Sequence, residues 1–547
     1  MGGDHVDRRI SFHAMTTVAP LSVSLPASVS TAAVATSAVA AVTSQPTGSA
    51  VVTLASNAGG NAVHTLQTYS AAGVLTPAPK IAVWENAGGD AVSSLLGRNA
   101  QSASTASRFH ALGKSLLESI AAGGGNFSQS VVLSDVAQQH DSVVQQVLQQ
   151  QAHRYADNRI ALDIVTTSGA KVGLSLGSSA AGLAVQIDIS GTLSDAERAA
   201  LGKLADAFQA AIDGLSAQPP RLNLDALTQF DSAQLGSLEL HAKLDQESQS
   251  IDFHADSRAR TLNTSGPAGA LKLAVDLSNP ALSGSAQQQA GAISHYLQQF
   301  DQARQRGHGD ESLMTMFKDG FAQMLSNVGK QASADGQRGA AVAPDAADRR
   351  MLSGLADFSA TVTQATKSIN PLHPEEVDSF SYQVSQQTTV AGRDQAGRRI
   401  VQQQSARLQA AYHQSLLADL PLKLGTDKQS QNYSYHQIDD RADSTLHIAY
   451  DQGALVQALL QQTASRKTRV SSYELGKLIK DETTPLQTSR STDFAAQLRL
   501  AQIAGGTPDT SGMQNEERRL QLMSRIGALA LLNSDPGALK SADYSLS

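Results

Sequence analysis

The chain has no cysteine, a single tryptophan and only 4% aromatic residues in 547 positions. The missing cysteines exclude disulfides, iron–sulfur clusters, thiolate zinc sites and a cysteine nucleophile. Charge is sparse too, at 17%, and the acidic excess leaves a net charge of −7. With a pI near 6.0, that balance predicts no nucleic-acid partner, which would call for a basic footprint. The basic run Arg466-Lys-Thr-Arg469 is short and reads as a solvated helix end. Apolar runs of ~18 residues or more are missing, so no transmembrane segment is expected.

Catalytic signatures are scarce as well. The sequence predicts no nucleophile elbow, no H-E-x-x-H helix and no phosphate-binding loop. Gly123-Gly-Gly125 and Gly505-Gly506 lack dinucleotide-binding spacing, and no alternating strand–helix units surround them. No cofactor is expected. At the N-terminus, Arg8-Arg9 is followed by no compact apolar core, and Met15 offers a second start. A cleaved signal peptide is therefore not expected.

What is present reads as two to four domains. Residues 1–100 are low-complexity Ala, Ser, Thr, Val and Gly, with too few large apolar groups to offset backbone ordering, and are expected to be largely disordered. One island, Lys80-Ile-Ala-Val-Trp-Glu85, reads as a short strand docking on later structure. Residues 104–155 read as amphipathic helices: Phe109, Leu112, Leu116 and Ile120 form one stripe ended by Gly123-Gly-Gly125. Val132, Val136, Val143, Val147 and Leu148 form a narrower one, suited to packing on a neighbour.

Residues 159–325 read as an α+β domain. Ile160, Leu162 and Ile164 alternate with polar residues, as do Val172, Leu174 and Leu176 beyond Ser168-Gly169, which is a hairpin signature. Leu183, Val185, Ile187 and Ile189 supply a third strand. Ser194 and Glu197 then form an S-x-x-E capping box, followed by the stripe Leu201, Leu204, Phe208, Ile212 and Leu215. Burying that stripe contributes about 10 kcal/mol gross. The helix is expected on the sheet's apolar face. Further strands at 238–244, 251–253 and 271–277 close at Asn279-Pro280, and two helices follow.

Residues 326–349 read as a linker, 350–452 as a long hairpin region, and 453–547 as a helical tail with coiled-coil-like stripes. Within 350–452, Tyr433/Tyr435 is expected to pair with Leu446/Ile448/Tyr450 through a turn at Arg441-Ala-Asp443. Asp439, Asp440 and Asp443 read as turn residues, and His436 and His447 could approach each other. The fold class expected is α+β, with antiparallel hairpin sheets each covered by helices.

The leading chemical cluster falls on residues 238–254. If Leu244 pairs with Gln249, Glu239 faces His254 and His241 faces Asp252 on one polar face. Two imidazoles and two carboxylates are the donor types that suit zinc or manganese. Cross-strand charge pairing accounts for the same residues without a metal.

Val185–Leu244, a strand, an L-S-x-x-E helix, Phe230-Asp-Ser-Ala-Gln-Leu and Leu238-Glu-Leu, resembles uncharacterised bacterial domains of unknown function. The Gln-rich return strand in Ser379–Tyr412 shares that style. Some such proteins carry a lactate dehydrogenase label, but the glycine fingerprint that activity requires is missing here. The expectation is a non-enzymatic bacterial structural or interaction protein, either cytoplasmic or exported without a cleaved signal peptide and then surface- or flagellum-associated, with protein partners or self-association. An enzyme of unknown class is the alternative.

Overall fold

Segments alternating apolar with polar residues join, in a computed structural model, into one antiparallel sheet. The structure describes residues 80–135, 142–245, 248–328, 342–417, 420–503 and 511–544. All fall in one unit, Gln67–Ser547. Strand β1 (Lys80–Trp84) precedes helices α1 (Ala91–Ala100), α2 (Thr105–Phe109) and α3 (Leu112–Ala121), then β2 (Phe127–Asp135) and α4 (Ser142–Arg154). Strands β3 (Asn158–Thr166), β4 (Lys171–Ser179) and β5 (Gly182–Ser190) lead to α5 (Asp195–Lys203) and α6 (Ala205–Leu215). A meander follows: β6 (Leu235–Leu244), β7 (Gln249–Asp256), β8 (Ala259–Gly266) and β9 (Gly269–Asp276). Helices α7 (Ala286–Gly307), α8 (Glu311–Leu325) and α9 (Ala346–Met351) separate it from β10 (Asp357–Gln364) and the two-residue β11 (Lys367–Ser368). Five long strands come next: β12 (Val377–Ala391), β13 (Arg399–Ser415), β14 (Tyr433–Asp451), β15 (Ala454–Glu474) and β16 (Lys477–Asp493). Helices α10 (Ala495–Ile503), α11 (Ser511–Ala530) and α12 (Pro536–Ser541) end the described chain.

The strand order is β1-β2-β5-β4-β3-β6-β7-β8-β9-β10-β12-β13-β14-β15-β16, with β11 on β12. The separate sheets of the sequence reading are therefore one: β10 pairs with β9 and β12, carrying the sheet past Asn279-Pro280. Its inward residues, from Ile160 and Leu162 to Ile400, Ile448 and Leu460, are buried in one continuous core. Helix stripes cover that face. Leu201, Phe208 and Ile212 pack over the first strands, and an aromatic group anchors α7 and α8 further along. There Phe300 lies 4.9 Å from Phe317 and Phe321, and 5.6 Å from Tyr382 of β12.

The capping box forms: Ser194 N donates to Glu197 Oε2 at 2.8 Å and Glu197 N to Ser194 Oγ at 3.3 Å. The helix behind it is two, α5 and α6, meeting at Leu204. Lys80–Trp84 is a strand, paired with β2. The expectation for residues 1–79 lies outside the described residues, while 80–100 hold β1 and α1. Residues 127–135 are strand rather than helix, because apolar Val131 and Val132 fill a slot between β1 and β5. Val136 lies outside the described residues. In α4, Val143 and Val147 are exposed, and the helix packs through Ala152 over Gly177. A Cβ at Gly177 would meet the Ala152 carbonyl oxygen at 2.4 Å.

The largest corrections concern residues 433–493. Tyr433–Asp451 is one 19-residue strand with no turn, and 454–493 form β15 and β16 rather than helix. The cause is polar residues at inward positions. Asp440, Ser444 and Gln462 point into the core and interrupt the apolar alternation. Each has a partner there. Arg306 Nη2 donates to Asp440 Oδ1 at 2.9 Å, Ser444 Oγ to the Ala530 carbonyl at 2.8 Å, and Gln462 Nε2 to that of Leu529 at 3.0 Å. Asp439 and Asp443 face outward against Arg407 and Arg441. Arg466 and Arg469, read as a helix end, lie on β15 and pair with Asp535 and Asp481. Among the described residues no helix is long and apolar enough to cross a membrane.

Candidate functional site

Strands β6 and β7 pair as the alternation predicts, Glu239 opposite His254 and His241 opposite Asp252. His241 Nδ1 lies 2.8 Å from Asp252 Oδ1, and its Nε2 lies 3.7 Å from Glu239 Oε2. His254 Nδ1 is 3.3 Å from Glu239 Oε1, and its Nε2 is 3.3 Å from Asp256 Oδ2. Strand β3 adds Asp163 opposite Glu239, which the hairpin pattern alone did not reveal. Burial pushes the Asp163 carboxyl up, with His241 opposing and Glu239 adding to the rise. The hydrogen bond to Asp252 raises His241, against partial burial.

The arrangement is a line rather than a cage. Each imidazole nitrogen faces a carboxylate along the outward face of the sheet, and the His241 side chain is 48% exposed. Among the described residues no group of three or more His, Asp or Glu side chains is placed to hold a metal ion. These four residues bind one another across strands, which fixes strand pairing.

Other candidates separate. His436 and His447 share β14 but point to opposite faces. His436 stacks on Tyr412 at 4.8 Å, with His308 on the other side of that ring at 3.8 Å. His447 lies opposite Val401 and Leu459. One correction concerns the nucleophile elbow: Gly173-Leu-Ser-Leu-Gly177 does carry G-x-S-x-G spacing. It lies inside β4 rather than at a strand-to-helix turn, with Ser175 between Ala161 and Gln186.

A second centre, which the sequence did not signal, sits where β12–β16 run out. The His413 side chain is fully buried between two carboxylates, Nδ1 at 2.6 Å from Asp378 Oδ1 and Nε2 at 3.3 Å from Glu376 Oε2. Tyr433 donates to Glu376 Oε2 at 2.7 Å, and Asn370 Nδ2 donates to Tyr433 Oη at 2.9 Å and to Gln431 Oε1 at 3.0 Å. Burial first, then the bond to Glu376, pushes the Tyr433 phenol well up; Tyr473 stacks on it at 4.8 Å and is pushed up to about 12 by burial and Glu376. Reading 433–450 as a hairpin hid this centre, since His413 meets Tyr433 only if both strands run straight.

The network knits three connections into one end of the sheet. Gly476 N donates to the Gln431 carbonyl at 3.0 Å, and Leu475 N to Asn432 Oδ1 at 2.9 Å. Outside it stand Ile369, Leu372, Leu416, Leu417, Leu420, Leu475, Leu478 and Ile479, each 38–61% exposed. They are eight of the sixteen exposed large apolar side chains among the described residues, gathered at one end. Comparison with protein-family models, curated proteins and solved structures finds no match.

Proposed function

We propose that this chain is an exported, non-enzymatic bacterial interaction protein whose protein partner docks on the apolar end of its long strands. The gathering of half the exposed large apolar side chains among the described residues around one hydrogen-bonded set of connections supports this reading. Scattered surface leucines are ordinary, but contiguous apolar patches mark interaction sites. The buried His413–Glu376–Tyr433 network beneath holds the patch in one shape, which lowers the ordering cost of docking.

In-cell cross-linking followed by mass spectrometry tests it. Lys423, Lys428 and Lys477 flank the patch and should link to one recurrent partner. The triple variant Leu417→Asp/Leu475→Asp/Ile479→Asp should lose those links with an unchanged melting temperature, since these side chains are already 54–61% exposed. Links that survive the triple variant would refute the docking surface; strictly cytoplasmic protein in secreting cells would refute export.

A second reading, an enzyme, rests on the meeting of Glu239, His241, Asp252 and His254 on the outward face. A thermal-shift screen against metabolites and divalent ions tests it. The enzyme reading requires a stabilising hit that disappears in His241→Ala/His254→Ala.

A further inference from the structure

Helices α7, α9 and α11 enclose a groove on the helical side, well away in sequence from the apolar end. Gln288 of α7 donates through Nε2 to the carbonyls of Arg349 at 2.8 Å and Leu352 at 2.7 Å, clamping the start of α7 to the end of α9. Helix α11 presses on the same segment at Gly527, where a Cβ would come within 2.3 Å of the Arg350 carbonyl oxygen. Between these two fixed contacts, residues of α7 and α11 line opposite sides of a groove. The space left is a cavity of about 490 Å³, within the ~300–1,000 Å³ usual for small-molecule sites.

Gly291, Ala292, Leu352, Ala528 and Leu531 give its walls an aliphatic stretch, with Ser285, Gln287, Ser353 and Ser524 around it. Gly291 lies inside a 22-residue helix, where glycine is destabilising relative to alanine. A Cβ there would meet nothing within 4 Å, so packing does not demand the glycine. What a larger side chain would occupy is the groove itself.

The only charged groups on the walls are the guanidiniums of Arg349 and Arg350. Arg349 donates to the Pro344 carbonyl at 3.1 Å. Arg350 is exposed, and its side chain has no hydrogen-bond or ion-pair partner among the described residues. The carboxylates nearest in sequence, Asp345 and Asp348, are taken up by Arg398, at 2.5 and 2.6 Å. Two cations without a carboxylate partner at the margin of a groove with an aliphatic stretch suit a ligand with an anionic head and a short aliphatic body.

We infer that this groove is a binding site for a small amphipathic organic anion, the aliphatic part lying between α7 and α11 and the head on Arg349 and Arg350. It stands independently of the docking surface proposed above.

Titration calorimetry of the full chain with octanoate tests it, with octanol as the uncharged control. Octanoate should bind saturably, one per chain, and octanol at least tenfold more weakly. Gly291→Leu fills the groove and should abolish octanoate binding while melting at or above the parent temperature. Ala528→Leu on the facing wall, an exposed position, provides a second block should Gly291→Leu fold poorly. Arg349→Gln/Arg350→Gln should weaken octanoate at least tenfold and leave octanol unchanged. Absence of saturable octanoate binding, equal binding of octanol, or full binding by a folded groove-filled variant would each overturn the assignment.

Discussion

Glu197 stands at the third position of α5, and its carboxylate is held down to about 2, first by the Ser168 hydroxyl and then by the Ser194 backbone N–H. The sign of the consequence follows from the depression. Its contribution to stability is complete above its ordinary value of 4.5 and is lost as pH falls from there through about 2. Urea unfolding at a series of pH values should show Glu197→Gln costing about 1 kcal/mol at neutral pH. The same variant should flatten the acid limb between pH 4.5 and 2. An unchanged acid limb would show that other carboxylates govern it. His241 moves the opposite way, raised by Asp252, so the pair's support is greatest below the ordinary histidine range and falls as pH rises through it. The Ser194–Glu197 and His241–Asp252 pairs were recognisable from spacing alone, whereas the Ser168 hydroxyl beside Glu197 was supplied by the fold.

At the scale of elements, the Gln-rich strands acquire a purpose that composition did not suggest. Gln404 on β13 accepts from Tyr296 Oη at 2.8 Å and from Leu532 N at 2.9 Å, and donates to the Ala530 carbonyl at 3.1 Å. Gln462 on β15 donates to the Leu529 and Leu531 carbonyls, and Gln402 accepts from Ser353 N at 2.8 Å. The Gln404 and Gln462 amides satisfy the last carbonyls of α11 and the turn behind it, which a helix cannot satisfy internally, and Gln402 satisfies a backbone N–H just after α9. Gln404→Leu would leave the Tyr296 hydroxyl and the Leu532 N–H buried and unpaired, at a cost of about 3 kcal/mol. A shift of the urea midpoint with unchanged m-value would measure it; a neutral outcome would mean that water replaces the amide. The outer edge strand β16 is blunted differently, by Pro485 and by charges at Lys480, Asp481 and Glu482.

At the scale of the molecule, the decisive fact is that one sheet and one core run through stretches that read as separate domains. A chain ending after Asp451 would remove β15, β16 and α10–α12 together. It would lay open the 19-residue edge of β14 and uncover Leu446, Ile448 and the polar core positions Asp440 and Ser444. Light scattering should then show aggregation, where a detachable helical tail would have left a soluble core. The full chain, by the same logic, should lose its near- and far-ultraviolet dichroism in a single transition across the sheet; two separated transitions would contradict a shared core.

The strands at 160–189, 238–253 and 271–277, the capping box and the pairing of Glu239, His241, Asp252 and His254 were legible because apolar inward residues alternate there, whereas β8 was missed because Arg260 and Thr264 take two of its inward positions. That alternation by itself determined the strands, the outward face, and the fact that those four side chains meet. It could not determine β14 through β16, because Asp440, Ser444 and Gln462 occupy core positions that only Arg306 and the α11 carbonyls make tolerable. Only the tertiary structure supplied those partners, each more than 60 residues away in sequence. The same holds for the His413 centre, the apolar end and the groove beside Gly291. Local periodicity records which side of a strand is buried; what buries it, and what is left open, is settled by packing between distant segments.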